Sequence, residues 1–252
     1  MTSTCPLPLY IDPGPVTVRT RDHALLLVRP GRAEAAFPPA RIERVVSPRT
    51  ANWRHDALAL IMDRGIPIHW SHPGRGLTGT LLPASAEPPP LAAQLDAFLR
   101  HAEWQTRLDG WIRHVRTAQF RRWTREKMLS KRIHRDQLRR DWIPNGNHPC
   151  PFDAETRAWV HAWLTSFLPR HDLPHLAATG DGTPLDITDL FVPFLWAELN
   201  LTQPLRDNTP ELDDRQTRIG LVERWLHTRH DLATDIIRSF VQFLLHQSRP
   251  WL

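Results

Sequence analysis

Between residues 8 and 83 the apolar positions come in short runs and alternations: LYIDPGPVTVRT, HALLLVRP, AEAAFPP, IERVVS, IPIHWS and LTGTLLP. Turn residues such as Pro13-Gly14 and Pro30-Gly31 separate these runs, so the pattern predicts a set of short strands. One stretch, near His55 to Arg64, breaks the alternation with a block of apolar residues from Ala57 to Met62 and predicts a helix. From Leu91 onward the spacing changes to that of helices, as in Leu91, Leu95, Phe98 and Leu99, or Trp159, Val160, Trp163, Leu164 and Phe167. Val222, Trp225 and Leu226 continue it, followed by Ile236, Ile237, Phe240, Phe243 and Leu244. Between the two patterns lies ASAEPPP, residues 84–90, whose three consecutive prolines cannot continue a strand or sit inside a helix. The chain therefore reads as α+β: a small β-rich domain over residues 1–83, a Pro-rich linker at 84–90 and an all-α lobe over 91–252. It shows no internal repeat and no extended low-complexity tract.

Composition narrows the classes open to it. A chain of 252 residues with 41% apolar content can bury one large core or two small ones. No apolar run reaches the roughly 18 residues needed to cross a bilayer, and the start MTSTCPLPLY lacks a basic segment followed by an apolar one. These features predict a cytoplasmic protein without a membrane partner. The two cysteines, Cys5 and Cys150, are too few for a disulfide framework or a zinc quartet, which fits a reducing compartment. His148 beside Cys150 is more simply structural than metal-binding. The 24 Pro, 11 Trp and single Tyr read as compositional drift and carry no function.

Charge adds more through placement than through its sum of +5. The stretch from Arg107 to Arg140 holds Arg113, Arg116, Arg121, Arg122, Arg125, Lys127, Lys131, Arg132, Arg135, Arg139 and Arg140, opposed only by Asp109, Glu126 and Asp136. On a helix, Arg121, Arg125, Arg132 and Arg135 or Arg139 fall near one stripe, with Trp111, Val115, Ala118, Trp123 and Met128 toward the buried side. Arginine in this density suits phosphate, because its planar fork gives bidentate, charge-assisted hydrogen bonds and each neutralised contact releases counterions. A solvated helix face that keeps the protein soluble is the plainer alternative.

Residues 41–83, RIERVVSPRTANWRHDALALIMDRGIPIHWSHPGRGLTGTLLP, resemble the amino-terminal domain of the CRISPR spacer integrases, the Cas1 family. The resemblance rests on Ile42, Glu43, Val45 and Val46, then Ala57 to Met62, then Arg64 to Ile68, then Gly74, Arg75, Gly79, Leu81 and Pro83. It continues more weakly beyond the linker. Arg107 to Gln119 sits where family members carry a basic helix, keeping the final Gln119, and PLDITDLFVPF (184–194) resembles a strand-to-helix element with Asp186 and Asp189 at its acidic positions. The resemblance implies a homodimer formed through the N-terminal domain and a DNA-binding helical lobe. It also implies a small ferredoxin-like CRISPR adaptation protein among the partners.

The resemblance further implies a site for Mg²⁺ or Mn²⁺, built in that family from a glutamate, a histidine and an aspartate about a dozen residues later. A hard cation takes such oxygen ligands and polarises a phosphodiester. Asp189 matches the aspartate, with Asp186 beside it as a second metal-binding carboxylate. The histidine position falls near Ala178 to Gly180, where there is none; His175, 14 residues before Asp189, is the displaced candidate. No E-G pair marks the glutamate. Glu126 fits better as a partner of Arg122 or Arg125, and Glu155 fits the first turn of a helix capped by Asp153. Asp186 and Asp189 have a plainer role as well, since DITD before LFVPF is a credible helix start.

Three functions remain open on these grounds. The first is a DNA-binding, integrase-like CRISPR adaptation protein lacking a complete catalytic triad. The second is a compact, active metal-dependent integrase or endonuclease using Asp189, Asp186 and His175. The third is a non-enzymatic structural subunit of a CRISPR-associated complex, for which the tryptophans and the tail FVQFLLHQSRPWL would supply contacts.

Overall fold

The computed structural model describes residues 6–83, 89–126, 129, 134–148, 152–202 and 214–247. Its strands and first helix run β1 (Leu7–Tyr10), β2 (Thr17–Arg21), β3 (Ala24–Val28), β4 (Ala35–Phe37), β5 (Ile42–Pro48), β6 (Asn52–Trp53), α1 (His55–Asp63), β7 (Ile68–His72) and β8 (Gly76–Leu81). Helices follow as α2 (Ala92–Leu99), α3 (Trp104–Arg125), α4 (Arg135–Asn145) and α5 (Ala154–Phe167). A short hairpin, β9 (Leu176–Ala178) and β10 (Pro184–Asp186), then leads into α6 (Ile187–Thr202), α7 (Arg215–Thr228) and α8 (His230–Gln247). The α+β reading is correct, with strands concentrated at the N-terminal end and helices dominating from residue 92. None of the described helices is long and apolar enough to cross a membrane.

The described residues fall into two compact units, residues 6–83 with Asp153–Ser166, and residues 89–152 with those from Phe167 onward. The first holds two four-stranded sheets, ordered β1-β5-β7-β8 and β4-β3-β2-β6. In the first sheet β1, β5 and β7 pair in parallel and β8 returns antiparallel to β7. Strand β3, ALLLV, is buried along its centre, whereas β2 alternates, with Val18 inside and Arg19 outside. The two strands are joined at Asp22 and His23, both at positive φ (52° and 60°), with Arg21 paired to Ala24. That is the backbone of a two-residue turn whose twist matches the strands it connects. Ile11, Val18, Leu25, Val45, Ile61 and Ile68 share one core, to which α1 contributes Ala57 and Ile61. Helix α5 belongs to this unit through residue 166, where Trp159 meets Tyr10 edge to face at 5.7 Å.

The second unit is organised around Trp111 of α3. Its indole lies 5.6 Å from the Phe194 ring on α6 and 5.0 Å from Phe240 on α8. Phe98 of α2 reaches the same cluster through Phe243, at 5.2 Å. Such tilted and edge-on arrangements are the favoured ones for aromatic quadrupoles. Helix α6, apolar along ITDLFVPFLWAELNLT, is therefore buried on several sides, as a run without an alternating polar face requires.

Candidate nucleic-acid face and carboxylate hairpin

The basic segment does not form one continuous helix. Helix α3 ends at Arg125, with Glu126 as its C-cap and as an ion-pair partner of Arg125 at 3.3 Å, and α4 begins at Arg135. The stripe expected from sequence is thus divided between two helices. Lys127, Lys131 and Arg132, included in that expectation, lie outside the described residues, as do both cysteines.

The arginines of this segment separate into two sets. Arg113, Arg121 and Arg125 are exposed and follow one another at intervals of one or two turns with Thr117 between them. Positions i, i+4, i+8 and i+12 keep to one side of a helix. Arg135, Arg139 and Arg140 are exposed on α4, and the last two line an open groove of 830 Å³ with Thr117, Asp136, Ile143 and Pro144.

Arg116 and Arg122 have structural partners instead. Arg116 lies 5.3 Å over the Trp142 ring and donates from Nη1 to the Pro144 carbonyl at 3.0 Å. Burial pushes its pKa below the ordinary arginine value, with Asp109 opposing. Gly146, the left-handed cap of α4 at φ 73°, makes room for it, because a Cβ there would lie 2.6 Å from the guanidinium. Arg122 Nη2 donates to Glu198 Oε2 at 2.5 Å, and Trp123 Nε1 donates to the same oxygen. The Glu198 side chain is completely buried. Burial raises its pKa, and Arg122, the Trp123 hydrogen bond and Arg229 pull the other way. Gln119, the position kept from the integrase pattern, donates to the Phe194 carbonyl at 3.2 Å.

The acidic pair is carried by the β9–β10 hairpin and the start of α6. Asp186 pairs with Leu176 across the hairpin, and the next rung is held by Ile187 N donating to the His175 carbonyl at 2.8 Å. His175 therefore borders the strand-to-helix junction that bears both aspartates. Asp186 Oδ1 accepts from Thr188 N at 2.8 Å and Asp189 N at 3.4 Å, which makes it the capping residue of α6. Asp189 stands exposed in the first turn. At Ala178 to Gly180, where the resemblance would set a histidine, β9 ends and a tight turn begins. Thr179 donates to Asp181, and Thr183 N donates to the same carboxylate at 3.0 Å, holding the Asp181 pKa down at about 2.

Asp186 and Asp189 are the carboxylates this strand-to-helix junction offers to a cation, and carboxylate oxygens are ligands suited to Mg²⁺ and Mn²⁺. Glu198 was missed from sequence, although a single acid inside LFVPFLWAELNL is a usable signal. Of the two glutamates weighed from sequence, Glu155 is buried in the first turn of α5, behind the Asp153 cap that Thr156 N meets at 2.8 Å.

The fold is similar to that of solved Cas1 proteins. A CAS1 protein from Thermotoga maritima superposes with a TM-score of 0.65 at 14% identity, covering 95% of this chain and 97% of that one. TtCas1 in a complex with DNA gives 0.56 at 10% identity, over 98% of this chain and 93% of that one. A chain of a Cas6-RT-Cas1–Cas2 complex gives 0.50 at 11% identity, over 79% of this chain and 28% of its own length. No family profile matches the sequence, and no curated protein matches it.

Proposed function

We propose that this protein works in CRISPR adaptation as a Cas1-like, DNA-binding homodimer joined through its strand-rich N-terminal region. The observation that carries the reading is a Cas1-like fold along nearly the whole chain, with Arg113, Arg121, Arg125, Arg135, Arg139 and Arg140 exposed on two neighbouring helices. TtCas1 has been solved with DNA and a Cas1-containing chain with Cas2, which favours DNA and a small adaptation protein as partners here. The exposed guanidiniums would grip phosphates and orient the duplex without reading its sequence.

The second reading, a compact metal-dependent integrase, is favoured by Asp186 and Asp189 at the start of α6. These would hold Mg²⁺ or Mn²⁺, which supplies polarisation of a phosphodiester and stabilisation of the attacking or leaving oxygen. Asp186 would contribute while capping α6, so that the helix start and the ligand position are fixed together. His175, whose carbonyl accepts from Ile187 N at the same junction, is the candidate histidine.

The test is a strand-transfer and nicking assay on branched and repeat-containing DNA with Mg²⁺, Mn²⁺ or EDTA, with binding followed in parallel. Metal-dependent product that disappears in Asp189→Ala while affinity stays intact establishes the integrase, and its loss in His175→Gln as well assigns the histidine. Binding without product leaves a DNA-holding scaffold. Affinity that does not fall between about 50 and 200 mM salt rejects phosphate contacts and leaves the structural-subunit reading.

A further inference from the structure

A cavity of about 400 Å³ lies within the helical unit, between the α2–α3 corner and the tip of the β9–β10 hairpin. Arg100, His101, Trp104 and Gln105 line one wall, and Asp181 and Thr183 the other. The walls meet at Gly180, where a Cβ would stand 3.6 Å from the Leu99 carbonyl oxygen and 3.7 Å from Arg100 Cα. The volume falls in the range of small-molecule sites, roughly 300–1,000 Å³.

The polar groups of the two walls are oriented before any ligand arrives. Asp181 Oδ1 accepts from Thr179 Oγ1 and from Thr183 N, the latter at 3.0 Å, which leaves Oδ2 as an acceptor for a ligand. His101 Nδ1 accepts from Glu103 N at 3.3 Å, so the neutral ring carries its proton on Nε2 and donates from there. Arg100 is exposed at the end of α2 and makes no ion pair among the described residues, Asp181 included. A guanidinium and a carboxylate that face one cavity without pairing suit a ligand with an anionic group at one end and hydroxyl donors at the other. The half-buried Trp104 indole adds a flat wall, and the Gln105 amide adds one donor and one acceptor edge.

We propose that this cavity binds a free ribonucleoside monophosphate, its phosphate on Arg100 and His101, its base stacked on Trp104 and its ribose hydroxyls donating to Asp181. A guanidinium fork takes phosphate in charge-assisted pairs, an aromatic face stacks any base, and a carboxylate is a recurrent acceptor for ribose hydroxyls. Gln105 offers the donor and acceptor that an adenine edge takes, which favours adenine. A DNA strand is the poorer occupant. It lacks the 2′-hydroxyl, and it brings a phosphate at every nucleotide against a carboxylate whose hydrogen bonds hold its pKa at about 2. Pro184 and Leu185 also border the cavity and lead directly into Asp186, so a bound nucleotide would tie the start of α6 to the α2–α3 corner.

The experiment is a calorimetric titration of the full chain with adenosine 5′-monophosphate, 2′-deoxyadenosine 5′-monophosphate, adenosine and a deoxyadenylate oligomer. The Trp104 indole NMR signal, assigned by Trp104→Phe, locates the ligand. Expected is movement of that signal, with adenosine 5′-monophosphate bound about tenfold tighter than adenosine or the deoxynucleotide, the worth of one charge-assisted hydrogen bond. Asp181→Asn should erase the preference for ribose over deoxyribose, and Arg100→Gln the preference for the monophosphate over adenosine. Both side chains are exposed, so the unfolding curves of these variants should match wild type. Equal affinity for the ribo- and deoxyribonucleotide, or a Trp104 signal that stays still, overturns the assignment. Tighter binding of the deoxyadenylate oligomer at Trp104 overturns it too and makes the cavity part of a DNA path. The salt-dependent affinity of the α3–α4 face for duplex DNA is a separate measurement that none of these outcomes moves.

Discussion

The inner and outer sides of α3 hold the same residue type in opposite conditions. Inside, Arg122 is locked to the fully buried Glu198, and Arg116 lies across Trp142. Outside, Arg113, Arg121 and Arg125 keep their charge at the surface, with Glu126 the acidic neighbour of Arg125. Arg122 and Arg125 are less than one helical turn apart, yet one is part of the interior and the other is available to a ligand. The difference teaches that a basic segment's charge count overstates its binding surface, because some of its cations are consumed in holding the helices together.

The largest expected effect tests the inner side. Glu198→Ala should destabilise the protein by about 3–5 kcal/mol, because it strands the Arg122 guanidinium and the Trp123 indole in a buried site. Urea unfolding measures this; a loss under about 1 kcal/mol would erase the distinction between the two sides. Gly146→Ala comes next, at more than about 1 kcal/mol, since it combines a left-handed backbone with a close approach to Arg116. Asp186→Ala should cost about 1 kcal/mol through removal of the α6 cap, whereas Asp189→Ala should leave the melting temperature near that of wild type.

The smallest stability effect belongs to the outer side. Arg121→Glu with Arg125→Glu should change stability by no more than about 0.5 kcal/mol while lowering the salt slope of DNA binding by about 0.9 for each phosphate no longer neutralised. Unfolding of that double variant as severe as Glu198→Ala would show the outer arginines to be structural too. Acidity sharpens the contrast further. The pKa of Glu198 is raised in the fold, so only between its unfolded and folded values does the folded state hold a proton that the unfolded chain has released. Its contribution is full below the unfolded carboxyl value of about 4.3 and is lost as pH rises through the folded value. Glu198→Gln should flatten that part of the stability curve, which calorimetry across the acid range will read.

Much of the fold was legible from period alone. The switch from alternation to helical spacing marks the change from strands to helices, and the HDALALIMD block is α1 as expected. The stripe of Arg121 with Arg132 and Arg135 was drawn on one helix, and the structure instead ends α3 at Arg125. Spacing arguments assume a continuous helix and cannot detect where one stops when no Pro or Gly marks the break. The aspartates were legible because DITD is a helix start whatever else it does.

The sequence by itself determined the strand and helix content, the positions of the turns, the concentration of arginine in one segment and the acidic start of α6. These follow from local properties: side-chain period, proline and glycine geometry and charge per residue. Tertiary structure decided which arginines face solvent and which are spent on a buried partner such as Glu198, and that Asp186 caps the helix while Asp189 stays exposed. Such outcomes depend on long-range packing, in which a buried charge is tolerated only beside its partner, and the identity of that partner is fixed by the fold rather than by neighbours in the chain.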